Sequence, residues 1–289
     1  MYVAASDKKP GWLVAARRIL MEPLGVLGLA LVLLMLGSAI CADLLTIYEP
    51  NKIAPRDRFQ GPSLEHFLGT DHLGRDLFAR VLHGGRIALS VALFSTFASL
   101  VIGIILGLIA GYGPRWLDNL MLLFFDSIKS FPTVMLALAL VTLFGPSLTA
   151  VVVVVILVNV PGYARIIRTQ TLALKESEFV TAAQSMGATT NRILRVHIMP
   201  NVIGPLLILA SMDIPVVIAI EAGMSFLGLG VRPPTPSWGA ILNDGFTAIR
   251  DTPWIAIAGG LPIIITTLGF TFLGETLRDV FDPRLKARG

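Results

Sequence analysis

The chain has 289 residues, of which 54% are hydrophobic and 15% charged, and its mean hydropathy is +0.76. A soluble protein carries roughly 25% charge, so the composition argues against a soluble globular enzyme and for a polytopic membrane protein. The net charge of +4 is small and spread through the loops, which suits membrane topology and not nucleic-acid binding.

Lys8, Lys9, Arg17 and Arg18 precede a first apolar run, Leu24–Leu45. It exceeds the roughly 7–15 residues of a cleavable signal core, so a retained anchor behind a cytoplasmic segment (1–23) is expected. Cys41 is the only cysteine, which rules out an intrachain disulfide. It reads as a packing residue, since Ile40 stands where a lipoprotein site needs a small side chain.

Five more spans are expected: Ile87–Gly113, Leu120–Phe144, Ser147–Tyr163, Val202–Leu227 and Trp254–Leu273. Each approaches the ~20 residues that cross a bilayer core. An unpaired backbone is so costly in lipid that even the short, β-branched fourth should be helical. The fold class is therefore all-α, with six transmembrane helices.

Ahead of the second span, Gly69–Asp76 is turn-rich and charged. Asp71, Arg75 and Asp76 read as an ion-pair knot capping the helix, or as a docking surface for an external protein. Gly103 and Gly107 form a GxxxG face suited to close helix packing. In the third span Asp126 and Lys129 are spaced to neutralise each other.

The fifth span carries Asp213 and Glu221, two turns apart with Pro215 between them. Charges at that depth face protein or water. They read either as a pathway lining that meets a peptide amine or as interhelical contacts. Pro233, Pro234 and Pro236 stiffen the following loop. Trp238 suits the membrane interface and opens a short interfacial or re-entrant helix that could gate the outer mouth.

Six spans leave both termini on one side. Of the 23 Lys and Arg, Lys52, Arg56, Arg58, Arg75, Arg80, Arg86, Arg232 and Arg250 fall opposite them. The remaining majority puts the termini and the loop 165–201 in the cytoplasm.

That loop is the most informative segment. Lys175–Ser185 is rich in helix formers, Gly187 suits a bend, Asn191–Met199 reads as a second helix, and Pro200 as its stop. Two short helices meeting at a glycine make a stiff knob. The alternative is an amphipathic segment lying on the membrane surface.

The loop resembles the EAA loop of ABC importer permeases. In that pattern Glu-Ala-Ala is followed by three residues, Gly, nine residues and Ile-x-Leu-Pro. Here Thr181-Ala182-Ala183, Gly187 and His197-Ile198-Met199-Pro200 keep the spacing. Thr181, His197 and Met199 replace the usual Glu, Ile and Leu, and the stretch opens at Glu178. Three further blocks are similar to the C-type subunit of the dipeptide/oligopeptide/nickel branch: Gly69–Asp76, Glu221–Gly230 with Trp238, and Gly274–Asp279 with Asp282-Pro283-Arg284.

The resemblance implies a type I (MetI-like) permease fold, with a core from 69 to 289 preceded by an extra span and outer loop (24–68). It implies a subunit in the bacterial inner membrane that pairs with a homologous B-type permease. Two ATPases hold ATP and Mg, one of them docks on the loop 165–201 of this chain, and a periplasmic or lipid-anchored binding protein delivers solute. This chain has no P-loop, no metal-ligand spacing and no nucleophile–base pair. No catalytic, metal or cofactor site is expected in it. An ion-gradient-driven secondary transporter, which leaves the loop spacing unexplained, and a non-transporting scaffold that uses the same loop to recruit a soluble partner are the alternatives. The solute itself is unspecified: dipeptide, oligopeptide, nickel chelate and opine all fit.

Overall fold

In hydrocarbon a helix satisfies its own backbone, and the apolar runs become helices. The computed structural model describes residues 19–281. The cytoplasmic segment lies mostly outside that range, as does the Asp282-Pro283-Arg284 block. The helices are α1 (Pro23–Ile40), α2 (Leu77–Tyr112), α3 (Arg115–Lys129), α4 (Thr133–Phe144), α5 (Leu148–Lys175), α6 (Glu178–Ser185), α7 (Met199–Phe226), α8 (Trp238–Thr247) and α9 (Trp254–Phe281). Among the described residues the only β pairing is an isolated bridge, Thr70 to Asp76.

Five helices are long and apolar enough to cross a membrane. The expected third span is a pair, α3 and α4, bent by 90°. Pro132 supplies no N–H and disfavours a helical Phe131, so the helix breaks over Ser130–Pro132. α3 is amphipathic: Trp116, Leu120 and Leu123 are exposed, while Asp118 and Asp126 pair with Arg168 and Arg165 of α5. The expected Asp126–Lys129 pair therefore does not form.

The other boundaries shift for local reasons. α1 ends at Ile40, and a separate turn covers Ala42–Leu45. Cys41 is exposed instead of packed. α2 begins ten residues earlier than expected, because the Asp76 carboxylate accepts from Ala79 N at 2.7 Å and caps it. α5 is not short. It continues through Pro161 to Lys175.

α2 packs most extensively on α5, which identifies the partner of the glycine face. A Cβ on Gly103 would sit 2.5 Å from Tyr163 Cβ, and one on Gly107 2.6 Å from Ala164 O. α1 rests on α9, α7 on α2 and α9, and α8 on α9. One apolar core gathers Val91, Val154, Ile218, Met224 and Trp238. A second, toward the loop 165–201, gathers Leu100, Ile167, Ile198 and Leu206.

Candidate functional site

The loop between α5 and α7 forms a knob with a buried spine. α6 buries Val180 and Ala183, and Ile193 and Ile198 are buried behind it. Val180, Ile193 and Ile198 pack with Tyr163 and Ile167 of α5 and Val202 of α7. The α6 C-terminus turns at Gly187, whose φ is +81°. Ala188 N donates to Ala183 O at 3.0 Å, closing the turn. Lys175 Nζ donates to Tyr112 O, and Gln184 approaches the Tyr112 hydroxyl, so the knob is tied to the end of α2.

The second half differs from expectation. Thr190–Arg192 and a π-helical turn, Ile193–Ile198, run directly into α7. Pro200 sits in the first turn of α7 and starts that helix instead of stopping the one before. Its missing N–H costs little there. Glu178 is exposed and His197 half-buried, and the His197 ring lies 6.4 Å from Phe179. Thr181, Ala182, Met186, Gly187, Arg192, Arg195 and Val196 form the exposed surface.

At the opposite end, Asp71, Arg75 and Asp76 are all buried. Asp71 accepts from Arg75 Nε at 2.6 Å and from the backbone N–H groups of Leu73 and Arg75. Arg80 adds a second guanidinium 3.6 Å away, and Arg75 reaches Asp244 of α8 at 3.4 Å. His66 Nδ1 lies 2.8 Å from Asp76. Burial raises the Asp244 carboxyl above its usual range, and His72, Arg75 and Arg80 offset part of that rise. Ligand atoms of Asp71, His72 and Asp244 converge within 4.8 Å, but the arginines already occupy those carboxylates, and a metal ion would have to displace them. Trp238 is not interfacial. It is fully buried, and its Nε1 donates to Val81 O at 2.9 Å.

The two intramembrane carboxylates do not share one environment, because eight residues rotate a helix by about 80° beyond two turns. Glu221 is fully buried, and its Oε1 accepts from Ser225 at 2.8 Å. Asp213 is half-buried beside Tyr163 of α5. Val216, Ala219 and Gly223 of α7 and Leu227 just beyond it, with Thr133 and Val134 of α4, line an open apolar groove of about 320 Å³.

Residues 103–287 match the family described as binding-protein-dependent transport system inner membrane component. The chain belongs to this family. It is 38% identical over 276 residues to the dipeptide transport system permease protein DppC of Alkalihalophilus pseudofirmus, covering 96% of this chain and 91% of that one. It is 40% identical over 277 residues to the glutathione transport system permease protein GsiD of Pectobacterium atrosepticum, covering 96% and 92%. Among solved structures, an inward-facing MetNI methionine ABC transporter chain superposes with a TM-score of 0.57 at 19% identity, covering 70% of this chain and 97% of that one. That likeness concerns the fold.

The chain is therefore a permease subunit of an importer in the inner membrane, the partner of an ATPase and a binding protein and not itself the catalyst. For this permease, sequence reasoning missed His66 and Asp244 as members of the outer knot. No local spacing signals either, since Asp244 meets Arg75 only through the packing of α8. It also missed Tyr163, whose neighbour Asp213 lies on another helix. Two midspan polar residues on different helices were the available signal.

Proposed function

We propose that this permease moves dipeptides, oligopeptides or related small solutes by ATP-driven alternating access, with the loop 165–201 as its coupling element. Residues 69–289 form the core, and 24–68 add a span and outer loop. The observation that carries this reading is the knob's construction. Its exposed surface rests on a buried spine continuous with α7, so a push on the knob moves α7 as a body. ATP and Mg sit on the two ATPases. A homologous B-type permease covers the apolar groove between α4 and α7, and the pathway runs between the two subunits. Asp213 lines it. Loaded binding protein and ATP bias the two ends of one bistable element.

Gly187 tests the coupling role. A β-branched residue at φ +81° is strained by about 1–3 kcal/mol, whereas Asn tolerates that region. Gly187→Val is expected to cut ATPase co-purification and ATP-driven uptake about tenfold or more, with membrane insertion unchanged, and Gly187→Asn is expected to keep both. Normal uptake by the valine variant with its ATPases still bound would reject the coupling role.

The orientation has its own test. With the termini in the cytoplasm, Cys41 at the end of α1 faces outward and is exposed. A membrane-impermeant maleimide added to intact spheroplasts is expected to label it. Labelling only after lysis would invert the topology.

A further inference from the structure

α5 and α7 each have one end at the loop 165–201 and the other at the opposite face. At that opposite face, the α4–α5 turn, the end of α7 and α8 enclose a cavity of about 440 Å³, within the range of about 300–1,000 Å³ typical of small-ligand sites. Pro146 of the turn, Ser225 of α7, Arg232 of the loop that follows, and Ala240, Asn243 and Asp244 of α8 line it. A cation and a carboxylate therefore face one space.

Neither charge neutralises the other. Arg232 is exposed, and its Nε donates to Pro146 O at 2.8 Å. A Cβ on Gly145 would sit 2.6 Å from its Nη2, so the bare glycine makes room for the guanidinium. Among the described residues no carboxylate comes within 4.0 Å of it. Asp244 is half-buried. Arg75, at 3.4 Å, and His72, at 4.0 Å, both approach its Oδ2, and neither uses Oδ1. Ser225 is buried and gives its proton to Glu221, which leaves its oxygen as an acceptor, and the Asn243 amide can both donate and accept. A guanidinium and a carboxylate that line one cavity without pairing suit a ligand that carries both signs, since hydrogen bonds to charged groups are the strong ones.

We propose that this cavity is an outer capture site for a short peptide with free termini. Arg232 takes the peptide carboxylate, which its planar fork fits. Asp244 takes the ammonium group through Oδ1, and Ser225 and Asn243 supply neutral hydrogen bonds between the two ends. The cavity lies on the side from which a binding protein delivers solute, so a released peptide lodges against α8 before it enters the pathway. The site rests on the peptide-importer reading and names the chemistry that reading leaves open. A blocked terminus leaves one charged side chain unmatched, so each end of the peptide is recognised separately.

The test uses the assembled permeases and ATPases in nanodiscs, with Cys41→Ser and Ala240→Cys in this chain and no binding protein to compete for solute. Labelling of the introduced thiol by a maleimide is followed as alanyl-alanine, its N-acetyl form or its C-amide form is added. Alanyl-alanine is expected to slow labelling, and each blocked form to need about tenfold more for half protection, as loss of one charged contact predicts. Asp244→Asn is expected to erase the difference between the free and N-acetyl peptides and keep the deficit of the amide, and Arg232→Gln to do the reverse. The comparison of the three peptides at native Arg232 and Asp244 stands even where a variant assembles poorly. Equal protection by all three, or by none, would overturn the site. So would a thiol that stays unlabelled in the assembled complex, since the partner permease would then fill the cavity. ATP-driven uptake of alanyl-alanine, measured with the binding protein restored, separates the two readings. Uptake without protection rejects the site alone, and no uptake rejects the peptide reading and this ligand with it.

Discussion

Asp71→Ala is expected to destabilise the permease by about 3–5 kcal/mol, the range for breaking a buried ion pair from one side. Asp71 has no exposed surface, and it accepts from the Arg75 side chain and two backbone N–H groups. Its removal leaves the buried Arg75 and Arg80 guanidiniums with less opposing charge, and the N–H groups of Leu73 and Arg75 lose their acceptor. The loss is measured as thermal unfolding of the detergent-purified complex, followed by tryptophan fluorescence. Trp238 reports on the same region, because its indole bonds to Val81 just beyond the knot. The double variant Asp71→Ala with Arg75→Met is expected to recover part of the loss by removing one orphaned cation. An unchanged midpoint in the single variant would show that water or another group replaces the carboxylate.

Gly107→Leu is expected to abolish assembly. At Gly107 even a methyl group would meet the Ala164 carbonyl oxygen at 2.6 Å and Ile167 Cβ at 2.7 Å. The first of these is backbone and cannot rotate away, so α2 and α5 must separate. Overpacking of a tight site costs about 1–3 kcal/mol for small additions, which is the expectation for Gly107→Ala. The leucine exceeds it along the most extensive helix contact in the protein. Gly162→Leu is the control: a Cβ there meets nothing within 4 Å. The readout is the yield of complex after affinity purification and size exclusion, with Gly107→Leu lost and Gly162→Leu retained as monodisperse material. Equal yields would mean that the α2–α5 seam is looser than its geometry indicates.

The parts of this protein that follow local rules were legible from residues alone. Apolar runs of bilayer length gave the helices, because a chain in lipid has few other ways to satisfy its backbone. Gly103 and Gly107 marked a face for close packing, since only small residues let helix backbones approach. Gly187 marked a bend that needs a left-handed residue. The spacing around it carried the resemblance to the importer family, and the family match agrees with it.

Other features depended on which segments meet. Pro132 bends a segment that its composition alone would leave straight, and Pro200 begins a helix that a local reading would end. A proline says where an N–H is missing, not which side of it the chain continues as helix. Asp126 had a cation one turn away in Lys129 and took Arg165 from another helix instead. Trp238, with an amphipathic ring suited to the interface, is buried against α2, where its indole donates to the Val81 carbonyl.

Length and hydropathy by themselves determined the class of protein and most of its membrane helices, and the motifs carried a resemblance to its family. Tertiary structure decided which charges pair, which carboxylate is sealed and which remains open, and which glycines touch a neighbour. The division has a physical cause. Backbone satisfaction and side-chain period act within a few residues of the chain, whereas ion pairing and close packing act across space and depend on segments far apart in sequence.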